Sequence, residues 1–96
     1  GLDRSALFDA IALHLARGFH DRRLDFWFCD TVVNALWSHY QSDMFEDDSV
    51  LRAKGARLFY AAYDAFDAGE SSRNPGEDPV QLYTRPLIAK LLGIMN

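Results

Sequence analysis

The chain has a single cysteine among 96 residues, which excludes an internal disulfide. A lone thiol suits a reducing compartment. No run reaches the ~18 apolar residues that a membrane span needs. The first residues lack the basic start and apolar centre of a secretory leader. No membrane association and a cytoplasmic location are the expectations. Basic residues are missing from one stretch: residues 24–48 carry Asp25, Asp30, Asp43, Glu46, Asp47 and Asp48 and no Lys or Arg, in a chain of net charge −4. Phosphate contacts need a basic footprint, so direct nucleic-acid binding is excluded. No phosphate loop, dinucleotide fingerprint or G-x-S-x-G is present. No segment alternates with period two, so no sheet is predicted.

What is present is apolar bulk. Hydrophobic residues make up 49% and aromatic residues 14% of the chain, enough for one core in a single helical domain spanning 1–96. The richest segment, Leu24 to Gln41, places Phe26, Phe28, Cys29, Val32, Val33, Leu36, Trp37 and Tyr40 in one arc of roughly 180° at helical spacing. Such a face implies a central helix enclosed by its neighbours, with Cys29 as a small core residue.

The remaining pattern is helical too. A first helix from Asp3 or Arg4 to Phe19, capped by Asp3 or Ser5, buries Leu7, Phe8, Ile11, Ala12, Leu15 and Phe19. The second ends near Gln41 or Ser42, with Met44 and Phe45 folded down as a short turn. A third, from Ser49 or Val50 to Ala68, buries Leu51, Gly55, Leu58, Phe59, Ala62 and Phe66, and Gly69 caps it in a left-handed conformation. Asn74-Pro75-Gly76 marks a turn. Asp78 and Pro79 restart a helix that Pro86 interrupts. A short turn to Tyr83 then precedes a final helix from Arg85 to about Leu92. Thr84 recaps this helix, which buries Leu87, Ile88, Leu91 and Leu92 and closes at Gly93. The predicted fold is all-α: an up-down bundle of three long helices plus a short, Pro-interrupted C-terminal helix.

No group of residues has the spacing of a catalytic or metal centre. The run Asp43, Glu46, Asp47, Asp48 lacks the spaced oxygens and glycine of a calcium loop and reads as a solvated surface. Cys29 lies in an acidic, apolar setting that disfavours the thiolate. Tyr60, Asp64, Asp67 and Arg57 read as a surface stripe. Trp27 and Leu13 are the anomalies, large apolar side chains on otherwise polar faces. An exposed Trp is a natural interface anchor. The sequence therefore favours a non-enzymatic interaction module without cofactor. Trp27, Asp30, Asn34, Asp43, Glu46, Asp47 and Asp48 are its candidate surface, and its partner is a basic protein or a second copy of the chain. The alternative is a small-ligand- or metal-binding enzyme using His39 and nearby carboxylates, since His39 and Asp43 share a face at i, i+4.

Overall fold

The structure, a computed structural model, describes residues 4–46 and 57–95. Every regular element among them is helical. Helix α1 spans Arg4–His20, α2 Phe26–Glu46 and α3 Arg57–Ala68. A π-helical turn, Val80–Thr84, runs directly into α4, Arg85–Met95. The all-α class is the one that the patterning predicts. Asp3, Asp47, Asp48, Ser49, Leu51 and Gly55 lie outside the described residues.

The buried apolar side chains form one cluster, and α3 is the element that touches all the others. Phe59, Ala62, Ala65 and Phe66 of α3 are each at most 1% exposed. From α1 come Phe8, Ala12, Leu15, Ala16 and Phe19, and from α4 come Ile88 and Leu91. Rings knit the layers: Phe19 meets Phe66 edge-on at 5.4 Å, and Trp37 stacks on Tyr63 at 4.2 Å. Offset and edge-on pairs of this kind add ~1 kcal/mol beyond area burial.

The expectation of an enclosed second helix is corrected here. Among the described residues, α2 rests mainly on α3 and more lightly on α1. Phe26, Cys29 and Val33 are buried and Val32, Leu36 and Trp37 partly so, but Phe28 is 50% exposed, so the described part of the arc is not fully enclosed. Helix α2 also continues to Glu46, so the backbone of Met44 and Phe45 is helical rather than a folded-down turn. On α1, Leu7 is 52% exposed, and Ala16 takes its place in the core. Leu87 of α4 is 39% exposed.

Two chain reversals meet at one end of the bundle. Helix α1 ends in a Schellman motif: Arg23 N–H donates to Gly18 C=O at 2.9 Å and Arg22 N–H to Phe19 C=O at 3.1 Å. This geometry puts Arg22 at φ +65°, where glycine is the inexpensive choice. Arg22→Gly is therefore expected to raise stability by about 1 kcal/mol, read as a higher urea midpoint at unchanged slope. An unchanged or lower midpoint would count against strain at this residue. Asp25 then caps α2, its Oδ1 accepting from Phe28 N–H at 2.7 Å.

At the other reversal, the last turn of α3 tightens. Gly69 N–H donates to Phe66 C=O at 3.0 Å, three residues back, which leaves the Ala65 carbonyl without its helical donor. Thr84, fully buried in the π-helical turn, supplies the missing bond: its Oγ1 donates to Ala65 O at 2.7 Å. Thr84 is thus a tie to α3 and not the predicted recapping residue. Asp78 does cap as predicted, accepting from Val80 N–H at 3.1 Å. The widened turn accommodates Pro86, which has no N–H to donate and whose ring crowds the carbonyl four residues back. Gly93 continues α4 instead of closing it. Gly69 does not adopt the predicted left-handed conformation. A Cβ there would strike Thr84 Oγ1 and the Phe26 ring, so the position excludes a side chain by contact.

Candidate interaction site

Where the start of α2 crosses the end of α3, three of the sequence-predicted residues come together with one that was not predicted. Trp27, Asp30 and Asn34 follow one another along a face of α2 at i, i+3 and i+7. Glu70, two positions past the end of α3, meets Asp30 and Asn34. Asn34 Nδ2 is the clasp, donating to Asp30 O at 2.8 Å and to Glu70 Oε2 at 3.2 Å.

Trp27 is 65% exposed, and no loop among the described residues covers it. Its indole stands edge-on against Phe26 at 4.9 Å. Phe26 is buried against Phe66 and faces Gly69, so the exposed indole sits on a fixed base. Phe28 beside it is half-exposed.

Asp30, predicted to lie on the exposed candidate surface, is buried instead. It is only 6% exposed, and its Oδ1 is buried without a hydrogen-bond partner. Burial pushes its carboxyl up to about 7, and the Glu70 carboxyl within hydrogen-bonding reach and the charge of Asp67 push the same way. The Asn34 amide opposes them. The magnitudes favour the upward direction. Two ionised carboxyls ~4 Å apart repel by roughly 4 kcal/mol at an effective dielectric of 20. One amide hydrogen bond returns about 1 kcal/mol. Near neutrality Asp30 therefore still holds its proton in part, and its contact with Glu70 becomes a hydrogen bond only when it does.

The surroundings add negative potential. The last turn of α3 holds no basic residue, and its carbonyl end carries the negative half of the helix dipole. The Tyr63 phenol is held above its usual range by burial and then by Asp67, Glu70 and Asp30, so it stays protonated. Cys29, fully buried, is raised to about 11 by burial and then by Asp25 and Asp30; its thiol donates weakly to Leu15 O at 3.7 Å. It is a core residue, not a nucleophile.

The other sequence candidates lie elsewhere. Asp43 begins the last turn of α2, roughly 20 Å along the axis from Asp30, and Glu46 ends it. Asp47 and Asp48 lie outside the described residues. His39 is exposed on α2. Leu13 is half-buried and lines a shallow depression of about 380 Å³ on α1 with Ala10, His14, Arg17 and Arg23. Among the described residues, no three His, Cys, Asp or Glu side chains are placed to hold a metal ion. No described helix is long and apolar enough to cross a membrane.

Sequence patterning misses Glu70 because nothing local connects it with Asp30, forty positions earlier. One signal is present: Asp67 and Glu70 put carboxylates at a helix C-terminus, where the dipole favours cations. Compared with known protein families, curated proteins and solved structures, the chain matches none.

Proposed function

We propose that this chain is a single-domain, up-down helical interaction module of the cytosol that acts without chemistry of its own, and that the corner formed by Trp27, Asp30, Asn34 and Glu70 is its docking surface. The observation that carries the reading is the pairing of a fixed, exposed indole with a buried carboxyl that has no counter-charge among the described residues. A tryptophan of this kind is costly to leave in water and favourable to cover. An uncompensated carboxyl is costly in the free protein and becomes an asset when a donor arrives. The partner is a basic protein or a second copy of the chain. The net charge of −4 and the base-free stretch 24–48 steer a basic surface toward α2. No observation singles out the His39 alternative.

Sedimentation over a wide concentration range tests self-docking, and affinity capture tests a separate partner. Both use wild type beside Trp27→Ala, an exposed position where truncation leaves the core intact. The expected result is association that Trp27→Ala weakens by at least tenfold, the loss of one interface anchor of ~1.4–3 kcal/mol. A wild type that stays monomeric and captures nothing that Trp27→Ala fails to capture would overturn the proposal.

A further inference from the structure

We infer that the corner receives one arginine side chain of its partner, the guanidinium lying against Trp27 and pairing with Asp30 and Glu70. The inference rests on the corner being a docking surface and names what docks there.

The acidic cluster alone would say little. The second observation is that Asp30, more than nine-tenths buried, has an oxygen with no partner. Among the described residues, the charged and titratable groups that act on it are all of one kind. Cys29 lies on α2, Tyr63 and Asp67 on α3, and Glu70 just beyond. None of these is a cation. Among the described residues no positive charge faces this corner, and in the free protein a proton on Asp30 near neutrality is the substitute.

The shape of the site selects among cations. A metal ion needs several converging ligands, and the described residues offer no such group. An exposed indole face is a poor metal ligand but a good platform for a delocalised cation. Asn34 spends its amide N–H groups on Asp30 O and Glu70, which leaves its carbonyl oxygen as a further acceptor. A planar stack with several coplanar donors suits a guanidinium and fits a compact ammonium less well. The exchange balances: protonated Asp30 and a guanidinium cation become a carboxylate paired with that cation, and one proton goes to solvent.

The experiment is calorimetric titration of the full chain with a blocked hexa-arginine peptide, and separately with hexa-lysine. Each is run at about pH 6 and about pH 8, in buffers of differing ionisation heat. With a carboxyl near 7, affinity for the arginine peptide is expected to rise about tenfold between those pH values, with close to one proton released at the lower one. Hexa-lysine is expected to bind several-fold more weakly. Trp27→Ala should weaken arginine binding without changing its pH dependence. Glu70→Gln, also at an exposed position, should weaken binding and flatten that dependence.

Equal affinity for the two peptides, or arginine binding indifferent to both pH and Glu70→Gln, overturns the inference. If neither peptide binds while Trp27→Ala still disrupts association in sedimentation or capture, the inference falls and the docking surface stands. If neither peptide binds and Trp27→Ala changes nothing, both fall.

Discussion

Raising the pH from about 4 to about 8 is expected to cost the wild-type protein roughly 2 kcal/mol relative to Asp30→Asn, as read from the difference between their urea-unfolding free energies. Asp30 holds its proton to about pH 7 in the folded chain, against an ordinary value of 3.8. Below about pH 4 both states are protonated and the contribution is fully present. Between there and about pH 7 the unfolded chain has released a proton that the folded chain still binds, so stability falls steadily with pH. Above about pH 7 the loss is complete and the difference levels off. The full shift corresponds to ~4 kcal/mol, and solvent at the edge of the corner halves that figure. Glu77 works in the opposite direction. Its carboxylate accepts from Asn74 Nδ2 at 2.8 Å and Tyr83 Oη–H at 2.9 Å, which holds it below its usual range and favours folding as pH rises. Subtracting the variant cancels that background. An asparagine side chain is neutral at every pH and close in shape to aspartate, so the variant should equal wild type near pH 4 and exceed it near pH 8. Parallel curves would mean that Asp30 titrates as an ordinary surface carboxylate.

Gly69→Ala is expected to destabilise the protein by about 3 kcal/mol, the upper end of what overpacking costs. The added methyl meets two groups that cannot retreat. Phe26 is wedged between Trp27 and Phe66, and Thr84 Oγ1 is held by the Ala65 carbonyl. Moving the hydroxyl would leave a buried carbonyl unsatisfied, a penalty of ~1–3 kcal/mol. Thr84→Ala removes both the obstruction and the bond, so the two substitutions should be strongly non-additive. Thermal or urea unfolding of the singles and the double closes the cycle. A coupling of at least 1 kcal/mol is expected for groups in such contact. Additive losses, or a Gly69→Ala variant as stable as wild type, would contradict the packing described.

Much of the local structure is legible in the sequence because its signals are local. A first helix from Asp3 or Arg4 to Phe19 reads from its 3.6-residue spacing, within a residue of the observed Arg4–His20. The polar segment His20 to Arg23 marks the reversal, and Asp78-Pro79 marks the restart. Pro86 announces an interruption, although its form is a widened turn and not a break. The rank of the helices within the bundle is not legible. Large side chains such as Phe28 and Trp37 make α2 look central. The element at the centre instead carries small ones: Ala62 and Ala65 sit between Phe59 and Phe66 and leave room for neighbouring helices to approach. Size of apolar residue is a poor guide to which helix is enclosed. Gly69 stands out in the sequence for the wrong reason, since conformational freedom and steric exclusion leave the same letter there. At the candidate site, Trp27 and Asn34 are legible on one face of α2, the first as an anomaly. The burial of Asp30 and its pairing with Glu70 depend on where α2 crosses α3, which no local spacing encodes.

The most direct measurement is a titration of the Asp30 side-chain carboxyl carbon by nuclear magnetic resonance, in wild type and in Glu70→Gln. The expected result is a midpoint near 7 in wild type, which moves toward acid when Glu70 loses its charge but stays above 3.8 because burial remains. A wild-type midpoint near 4 that Glu70→Gln leaves in place would contradict the retained Asp30 proton, and with it the corner as a seat for a cation.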